Sequence, residues 1–236
     1  MKKYFTVEVK PTISVAALAT GNFAANDVLF DWAEFALPSP AKLVGITARV
    51  VGKNGVAQTQ KDMDLLFAKS RGGIAPPTLG AENDAVDTHG WFPHIIGMIP
   101  LEATNTNSAD LIMGNITSAT IKSSDNSVVL NPEADGKAYV SSVLSTGTLA
   151  FGASTMVLDG ASSTSSPLLI VATVNQFVSG IGAGDILRDE DNLLLGTVSH
   201  VTSSHIVLKE NCANVSTDGK KVYNTTPITL LLAFEI

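Results

Sequence analysis

The final segment of the chain, residues 228–236, reads ITLLLAFEI and is apolar and rich in strand-forming residues. A chain terminus normally frays unless a packed element holds it in place. A run of this length is too short to cross a membrane and is typical of a buried β-strand. We therefore predict that the chain ends inside a sheet whose other strands lie far upstream, in a β fold that its last residues close.

The composition favours the same structural class. Of the 236 residues, 45% are hydrophobic and only 16% are charged, whereas about a quarter of a typical globular domain is charged. Small and polar residues replace the charged ones, which disfavours long surface helices and suits short strands joined by polar turns. The length is enough for one large all-β domain or two smaller ones.

Strand-like patterns recur along the first part of the chain. Residues 4–14 are predicted to form a strand that lies at a sheet edge or bends at Pro11, and residues 16–26 are predicted to form a loop. No stretch of ten or more residues fits a helix, although 137–144 is a weak candidate for a short one. The other predicted strands are 28–35, 43–51, 61–70, 94–102, 111–113, 119–122, 128–130, 138–144 and 148–151.

Two connections in this part carry specific signals. Asn54-Gly55 lies between apolar runs and predicts a tight hairpin turn. Residues 71–90 form a long polar connection, a type that is usually functional or mobile. The strand that follows it is expected to stop near Pro100.

The sequence changes character after residue 153. Residues 154–225 alternate Ser-, Thr- and Gly-rich turns with short apolar strands, and the chain then returns to the apolar segment 228–236. We interpret residues 154–225 as a small β-barrel inserted into an antiparallel, jelly-roll-like β-sandwich. The sandwich would comprise residues 1–153 plus 226–236, so the predicted fold class is all-β.

Charge and cysteine content exclude several classes of protein. The net charge of −7 gives no basic footprint for nucleic acid, and a single cysteine, Cys212, cannot form an internal disulfide. Lys2 and Lys3 resemble the start of a signal peptide, but Glu8 and Lys10 interrupt the apolar core that should follow. No run of 18 apolar residues occurs, so we expect no membrane span.

The candidate metal ligands match no known site pattern. Two acidic groups could in principle bind a hard cation, but neither has EF-hand spacing, so a charged hairpin tip and a solvated loop are the favoured interpretations. The histidines have no helical zinc spacing and are expected to be hydrogen-bonded residues at strand ends. These residues are Asp189, Glu190 and Asp191; Glu82, Asp84 and Asp87; and His89, His94, His200 and His205.

The candidates for nucleophilic or cofactor chemistry are equally weak. Cys212 is interpreted as a structural thiol in preference to a catalytic one. Residues 179–184 read SGIGAG, an incomplete dinucleotide fingerprint followed by a strand instead of a helix. The sequence therefore predicts no catalytic, cofactor-binding or metal-binding residue, and no enzyme.

Two segments resemble structural proteins of tailed bacteriophages. LLFAKS at 65–70, PPTLGA at 76–81 and IIGMIPL at 95–101 resemble the β-sandwich of capsid decoration (cement) proteins, in which an "IG-x-I-P" strand follows a polar excursion. GDIL at 184–187, LGTVSHVT at 195–202 and IVL at 206–208 are similar to the small SH3-like β-barrel of phage virion proteins. The resemblance implies a virion protein that binds the major capsid protein outside the head shell, often as a trimer.

This resemblance makes a head decoration protein the leading hypothesis. A neck, tail or fibre-base protein of the virion is an alternative within the same class. A carbohydrate-binding module would instead use Trp32, Trp91 or Tyr223 as stacking surfaces, and a glycosidase would need paired carboxylates in a cleft. Trp91 and Phe92 are also candidate anchors for self-association, with core packing as the competing interpretation.

Overall fold

The computed structural model describes residues 2–51, 61–87, 90–102, 110–111, 114–120, 128–152, 154, 156–172, 181–202 and 205–236. Apart from one short α-helix and one 3₁₀ helix (Phe92–His94), its elements are strands, which confirms the all-β prediction. The turn at Asn54-Gly55 lies outside the described residues. In chain order the elements are β1 (Tyr4–Val9), α1 (Val15–Thr20), β2 (Asn22–Phe23), β3 (Val28–Ala36), β4 (Ala41–Val51), β5 (Met63–Lys69), β6 (Ile95–Leu101), β7 (Asp110–Leu111), β8 (Gly114–Thr120), β9 (Val129–Leu130), β10 (Lys137–Leu144), β11 (Leu149–Ala150), β12 (Leu168–Ile170), β13 (Ile186–Asp189), β14 (Leu194–Val201), β15 (His205–Leu208), β16 (Val222–Asn224) and β17 (Ile228–Glu235).

The C-terminal strand lies inside the larger sheet, as predicted. This six-stranded sheet has the order β1-β17-β4-β8-β7, and β9 also pairs with β4. β17 is antiparallel to both of its neighbours. The end of the chain therefore lies between β1, near the start of the chain, and β4, which begins at Ala41. Its side chains alternate, and Ile228, Leu230, Leu232 and Phe234 are buried.

A four-stranded sheet packs against the first to form the sandwich. Its order is β3-β10-β5-β6, and its inward side chains share one buried cluster with those of β17 and β4. Phe234 is central to this cluster, because its ring lies 5.3 Å from that of Phe5 and 6.3 Å from that of Phe35. β6 continues through Pro100 to Leu101. Proline has no N–H to donate, and a terminal strand tolerates it because one of its edges has no partner strand.

The prediction of a loop at residues 16–26 is wrong, because the chain forms α1 and the short strand β2 there. The Ser14 hydroxyl caps the helix by accepting a hydrogen bond from the Ala17 N–H at 3.3 Å. Val15, Ala17 and Leu18 are buried against the sandwich core. Six residues are too few for helical periodicity to be recognised in a sequence, so packing decides this element.

The long connection after β5 covers the outer face of the four-stranded sheet. Leu65 and Phe67 point into the sandwich, whereas Leu66 belongs to a separate buried cluster with Leu79 and Trp91. Because alternate strand residues point to opposite faces, this second cluster lies outside the sheet. The connection is therefore a largely exposed cover that Pro76 and Leu79 anchor to the sheet.

The second unit is a small closed barrel. Its sheet has the order β12-β15-β14-β13-β16. The segment 156–159 joins the two ends of this sheet, because Leu158 N–H donates to Lys220 and Asp159 N–H donates to Ile170, at 2.9 and 3.0 Å. Val222 and Ala172 return hydrogen bonds to the same segment at 2.9 Å each, so both edges of the sheet are paired.

The barrel and the sandwich have separate cores that meet at β16. Val222 is buried in the barrel cluster, whereas the next residue, Tyr223, is buried in the sandwich cluster. Thr225 accepts a backbone hydrogen bond from Ile13 at 2.7 Å, which fixes the return of the chain to the sandwich. Whether residues 154–225 fold independently of the remainder stays a prediction.

We expect the sandwich to fold without the barrel. Replacement of residues 154–221 by a short Gly/Ser linker keeps Tyr223, whereas replacement of 154–225 removes it, so the shorter deletion should be the more stable by about 3–5 kcal/mol. Circular dichroism and chemical denaturation of both variants measure this difference. Loss of cooperative unfolding in the shorter deletion would show that the two units fold as one.

Candidate functional site

The acidic turn after β13 is built around a buried carboxylate. Asp189 accepts hydrogen bonds from the backbone N–H groups of Asp191 and Leu193, at 3.0 and 2.9 Å, and from the Ser216 hydroxyl at 2.7 Å. Its side chain is therefore a structural acceptor inside the barrel, and the prediction of a charged hairpin tip is wrong for this residue. Both side-chain oxygens of Asp189 thus already accept hydrogen bonds.

The other two carboxylates of this turn face a lysine. Lys220 Nζ lies 3.3 Å from Glu190 Oε1 and 3.1 Å from Asp191 Oδ2. Hydrogen bonds to Asp191 and then to Glu190 raise the pKa of Lys220 above its usual value. This arrangement is a solvated ion cluster at the barrel surface.

The acidic residues of the covering segment are structural as well. Glu82 accepts a hydrogen bond from the Ser14 N–H at 2.6 Å, which joins the cover to the start of α1. The Asp84 carboxylate accepts a hydrogen bond from the backbone N–H of Ala85 at 2.8 Å. Asp87 also interacts with another group of the protein. Of these side chains, Glu82 holds the cover to the sandwich, and Asp84 stabilises the turn within the cover.

The histidines do not converge on one point in the described structure. His94 is buried, and its Nδ1 donates to the Lys69 carbonyl at 3.0 Å, so it holds the end of β5. His200 is exposed and lies 3.4 Å from the Ser199 hydroxyl, whereas the backbone N–H of His205 closes a turn to Thr202. His89 lies outside the described residues.

The cysteine and the glycine-rich segment have structural surroundings. Cys212 is buried in the barrel core, and this burial raises the pKa of its thiol, which disfavours the reactive thiolate. Within the described part of residues 179–184, the Gly182 N–H donates to Asp185 at 2.9 Å. This N–H therefore binds a side chain of the protein itself.

The three aromatic residues considered for carbohydrate binding do not form one exposed platform. Trp91 and Tyr223 are buried, in different clusters. Trp32 is half-buried, and its Nε1 donates to the Pro77 carbonyl at 2.8 Å. Phe92 is 66% exposed and stacks on Trp91, with ring centroids 4.2 Å apart. Of the two candidate anchors for self-association, the structure thus buries one and exposes the other.

A groove of about 380 Å³ lies where β1 and β3, the adjacent edges of the two sandwich sheets, face each other. Its charged side chains are Glu8, Lys10, Asp31 and Glu34. Glu34 forms an ion pair with Lys137 at 2.9 Å, and Asp31 accepts a backbone hydrogen bond from the cover. Glu34 and Asp31 thus each have a structural partner.

A buried ion pair joins the sandwich to the barrel beside this groove. Lys10 Nζ lies 2.7 Å from Asp185 Oδ1 and donates to the Ala183 carbonyl, also at 2.7 Å. The second oxygen of Asp185 accepts from Gly182 N–H and Asn224 Nδ2, both at 2.9 Å. Asp185 is buried and Lys10 is only slightly exposed, so the pair fixes an orientation, and removing one partner of such a pair usually costs several kcal/mol. Nothing in the spacing of these residues in the sequence indicated their contact.

Two glycines in the phage-like motifs have packing roles. A Cβ at Gly97 in β6 would lie 2.6 Å from Val128 Cγ1, so only glycine allows this close approach. Gly196 in β14 has a φ of +151°, and a Cβ there would lie 2.9 Å from Leu208 Cδ1. Both motif glycines are therefore explained by the fold, without a ligand.

Comparisons of the chain with protein-family models, curated proteins and solved structures return no match. Within the described ranges, no three or more His, Cys, Asp or Glu side chains are placed to hold one metal ion. No helix in the same ranges has the length and hydrophobicity needed to cross a bilayer.

Proposed function

We propose that this protein is a structural component of a phage virion, specifically a head decoration protein. It binds the major capsid protein on the outer surface of the shell and stabilises the assembled lattice. As the resemblance implies, it acts as a homo-oligomer, with a trimer favoured, after synthesis in the host cytoplasm. It needs no cofactor and contacts neither nucleic acid nor membrane, and it is not an enzyme.

The observation that carries this proposal is where the two phage-like segments lie in the fold. The "IG-x-I-P" residues 96–100 lie in β6, a terminal strand of the sandwich, and residues 195–198 lie in β14 of the closed barrel. The location of both segments in all-β units supports the proposal. Most of the candidate metal-binding or catalytic side chains described above have structural partners within the fold. This supports a binding role in preference to an enzymatic one.

The shell-binding surface that we propose surrounds the exposed ring of Phe92. Ile74 and Met98 are also exposed, at 70% and 59%. Arg71 Nε donates to the Pro93 carbonyl at 2.7 Å, which places the Ile74 turn beside Phe92, and Met98 is the cross-strand neighbour of Leu66 under Trp91. Large apolar side chains on a surface with few charges are typical anchors of protein interfaces.

Stabilisation of a shell by such a protein follows from mass action. A protein that binds the assembled lattice but not free subunits shifts the equilibrium toward the lattice. A closed symmetric shell repeats the same contact many times, so even a weak contact stabilises the whole lattice. The proposed function therefore requires complementary surfaces and stable modules, and no chemical step.

Quantitative mass spectrometry of purified virions tests the location. A decoration protein should be present in hundreds of copies, whereas about a dozen or fewer would assign it to the neck or tail, because copy number follows the symmetry of the site. Absence from virions would contradict the proposal, as would turnover of an ester, glycoside or peptide substrate that one point substitution abolishes.

A matched pair of variants tests the surface. Phe92→Asp should reduce binding to undecorated shells by tenfold or more, about 1.4 kcal/mol or more, because a hot-spot aromatic contributes at least this amount. Val129→Asp makes the same kind of change at an exposed position of the other sheet and should leave binding intact. Equal losses in both variants would show that Phe92 is not the anchor.

A further inference from the structure

The outer edge of β1 has backbone groups with no partner strand among the residues that the structure describes. Among the described residues, β1 pairs with β17 alone, from Tyr4 to Val9 without a register shift. Lys3 and Ile236 exchange two backbone hydrogen bonds, so the bonds to β17 fall on odd-numbered residues of β1. The N–H and C=O groups of Tyr4, Thr6 and Glu8 therefore point away from the sheet.

The other terminal strands of the described structure are covered or interrupted. β6 contains Pro100, and its pairing with β5 shifts register between Phe67 and Ala68. β3 is bridged at its start by residues of the cover, and segment 156–159 closes both edges of the barrel. β7 has only two residues. Since proteins normally protect long flat edges in these ways, the uninterrupted edge of β1 is unusual.

We propose that β1 pairs with β1 of a second copy of this chain, antiparallel and centred on Thr6, so that the two six-stranded sheets become continuous. In this register Thr6 faces Thr6 of the second copy, and Tyr4 faces Glu8. All three outward-pointing residues then meet outward-pointing residues, and each of the three pairs exchanges two hydrogen bonds. A centre at Phe5 or Val7 would match only two of these three residues with each other, so the centre at Thr6 gives the most complete pairing.

The side chains also match in this register. Phe5 and Val7 face the sandwich core but remain partly exposed, and each would lie opposite the other across the new pair of strands. Paired β-branched residues, such as Thr6 with its copy, and aromatic–aliphatic pairs stabilise adjacent strands. Burial of the open edge of the core thus accompanies the backbone pairing.

Charges at the ends of the pair do not oppose it. Lys2 would face Lys10 of the second copy, but each is already in an ion pair, Lys2 with Glu235 at 2.6 Å and Lys10 with Asp185. The contact is isologous, so it generates a dimer about a two-fold axis. It is distinct from the three-fold contact that the phage resemblance implies and does not depend on the proposed function.

Sedimentation of the full chain tests the pairing. At high micromolar concentration, the mass of the wild type should approach twice that of Thr6→Pro, which is twice the chain mass of 24.6 kDa where β1 pairing is the sole contact. Thr6→Pro removes an N–H that does not bond β17, so the fold should survive while dimerisation weakens about tenfold or more. Thr6→Val keeps the N–H and should dimerise like the wild type.

A cysteine pair tests the register. Residues that face each other in a hydrogen-bonded pair have Cα atoms about 5.5 Å apart, which a disulfide can bridge. Oxidised Thr6→Cys should therefore form a covalent dimer on a non-reducing gel. Tyr4→Cys is the control on the same strand, because its two copies would lie about 14 Å apart, beyond disulfide reach.

The outcomes separate this inference from the phage proposal. A wild-type monomer at every concentration, or an oligomer that Thr6→Pro does not weaken, overturns β1 pairing. Covalent dimerisation of Tyr4→Cys at the same rate as Thr6→Cys overturns the register. Shell binding through Phe92 is measured independently, so either proposal can fail without the other.

Discussion

A chain that ends at residue 227 is expected to be insoluble or molten. The truncation removes β17, which lies between β1 and β4 and is the only strand paired with β1 among the described residues. It also removes four buried apolar side chains, each worth roughly 1.5–3 kcal/mol. Their sum is comparable with the whole stability of a domain, about 5–15 kcal/mol.

The truncation also exposes an edge of β4 that is normally paired. A long unpaired strand edge promotes aggregation, so we expect recovery mainly in the insoluble fraction, and any soluble protein should bind ANS and lack near-UV circular dichroism. The full-length chain, expressed in parallel, is the control. Soluble truncated protein with a cooperative thermal transition would show that β17 is dispensable and would contradict the sheet order described above.

Leu232→Asp is expected to lower the free energy of unfolding by at least about 4 kcal/mol, because it places a carboxylate in the apolar core. Leu232 is fully buried between Val7 and Ile46, its partners on the two neighbouring strands. For a chain of this size, this loss corresponds to a decrease of roughly 8–16 °C in Tm.

The adjacent residue provides the matched control. Leu231 is 42% exposed and points to the opposite face, so Leu231→Asp should cost only about 1 kcal/mol, chiefly through the poor strand propensity of aspartate. Glu235→Gln should be milder still, because its partner Lys2 is largely exposed and solvent screens the pair. Similar losses for Leu231 and Leu232, measured by chemical denaturation, would contradict the orientation of β17.

Several strands were predictable because their signals are local. The alternation in residues 228–236 and the apolar runs at 28–35, 43–51 and 61–70 correspond to β17, β3, β4 and β5. In a strand that is buried on one face, apolar side chains recur at every second residue. The free energy gained by removing each of these side chains from water depends mainly on that side chain itself. The predicted strand at 4–14 is an edge strand in the structure, but it ends at Val9, before Pro11.

The candidate sites were less predictable, because the role of a polar residue depends on distant partners. Asp189 looks like a turn residue in the sequence, but Ser216 and two backbone N–H groups make it a buried acceptor. Trp91 and Phe92 are adjacent aromatic residues, yet packing of the cover buries one and exposes the other. The contacting residues are far apart in the sequence, so local strand or turn propensity does not reveal the role of such a side chain.

The sequence by itself determined the class of this protein: an all-β chain whose alternating apolar residues require sheets and whose small polar residues fill its turns. Only the tertiary structure decided how the two modules are joined, through Lys10 and Asp185, and which edge of the sandwich is left uncovered. The physical reason is that burial of an apolar side chain is almost independent of its partner. A salt bridge forms only where the whole fold brings a particular partner close, and a strand edge stays open only where the fold places no strand beside it.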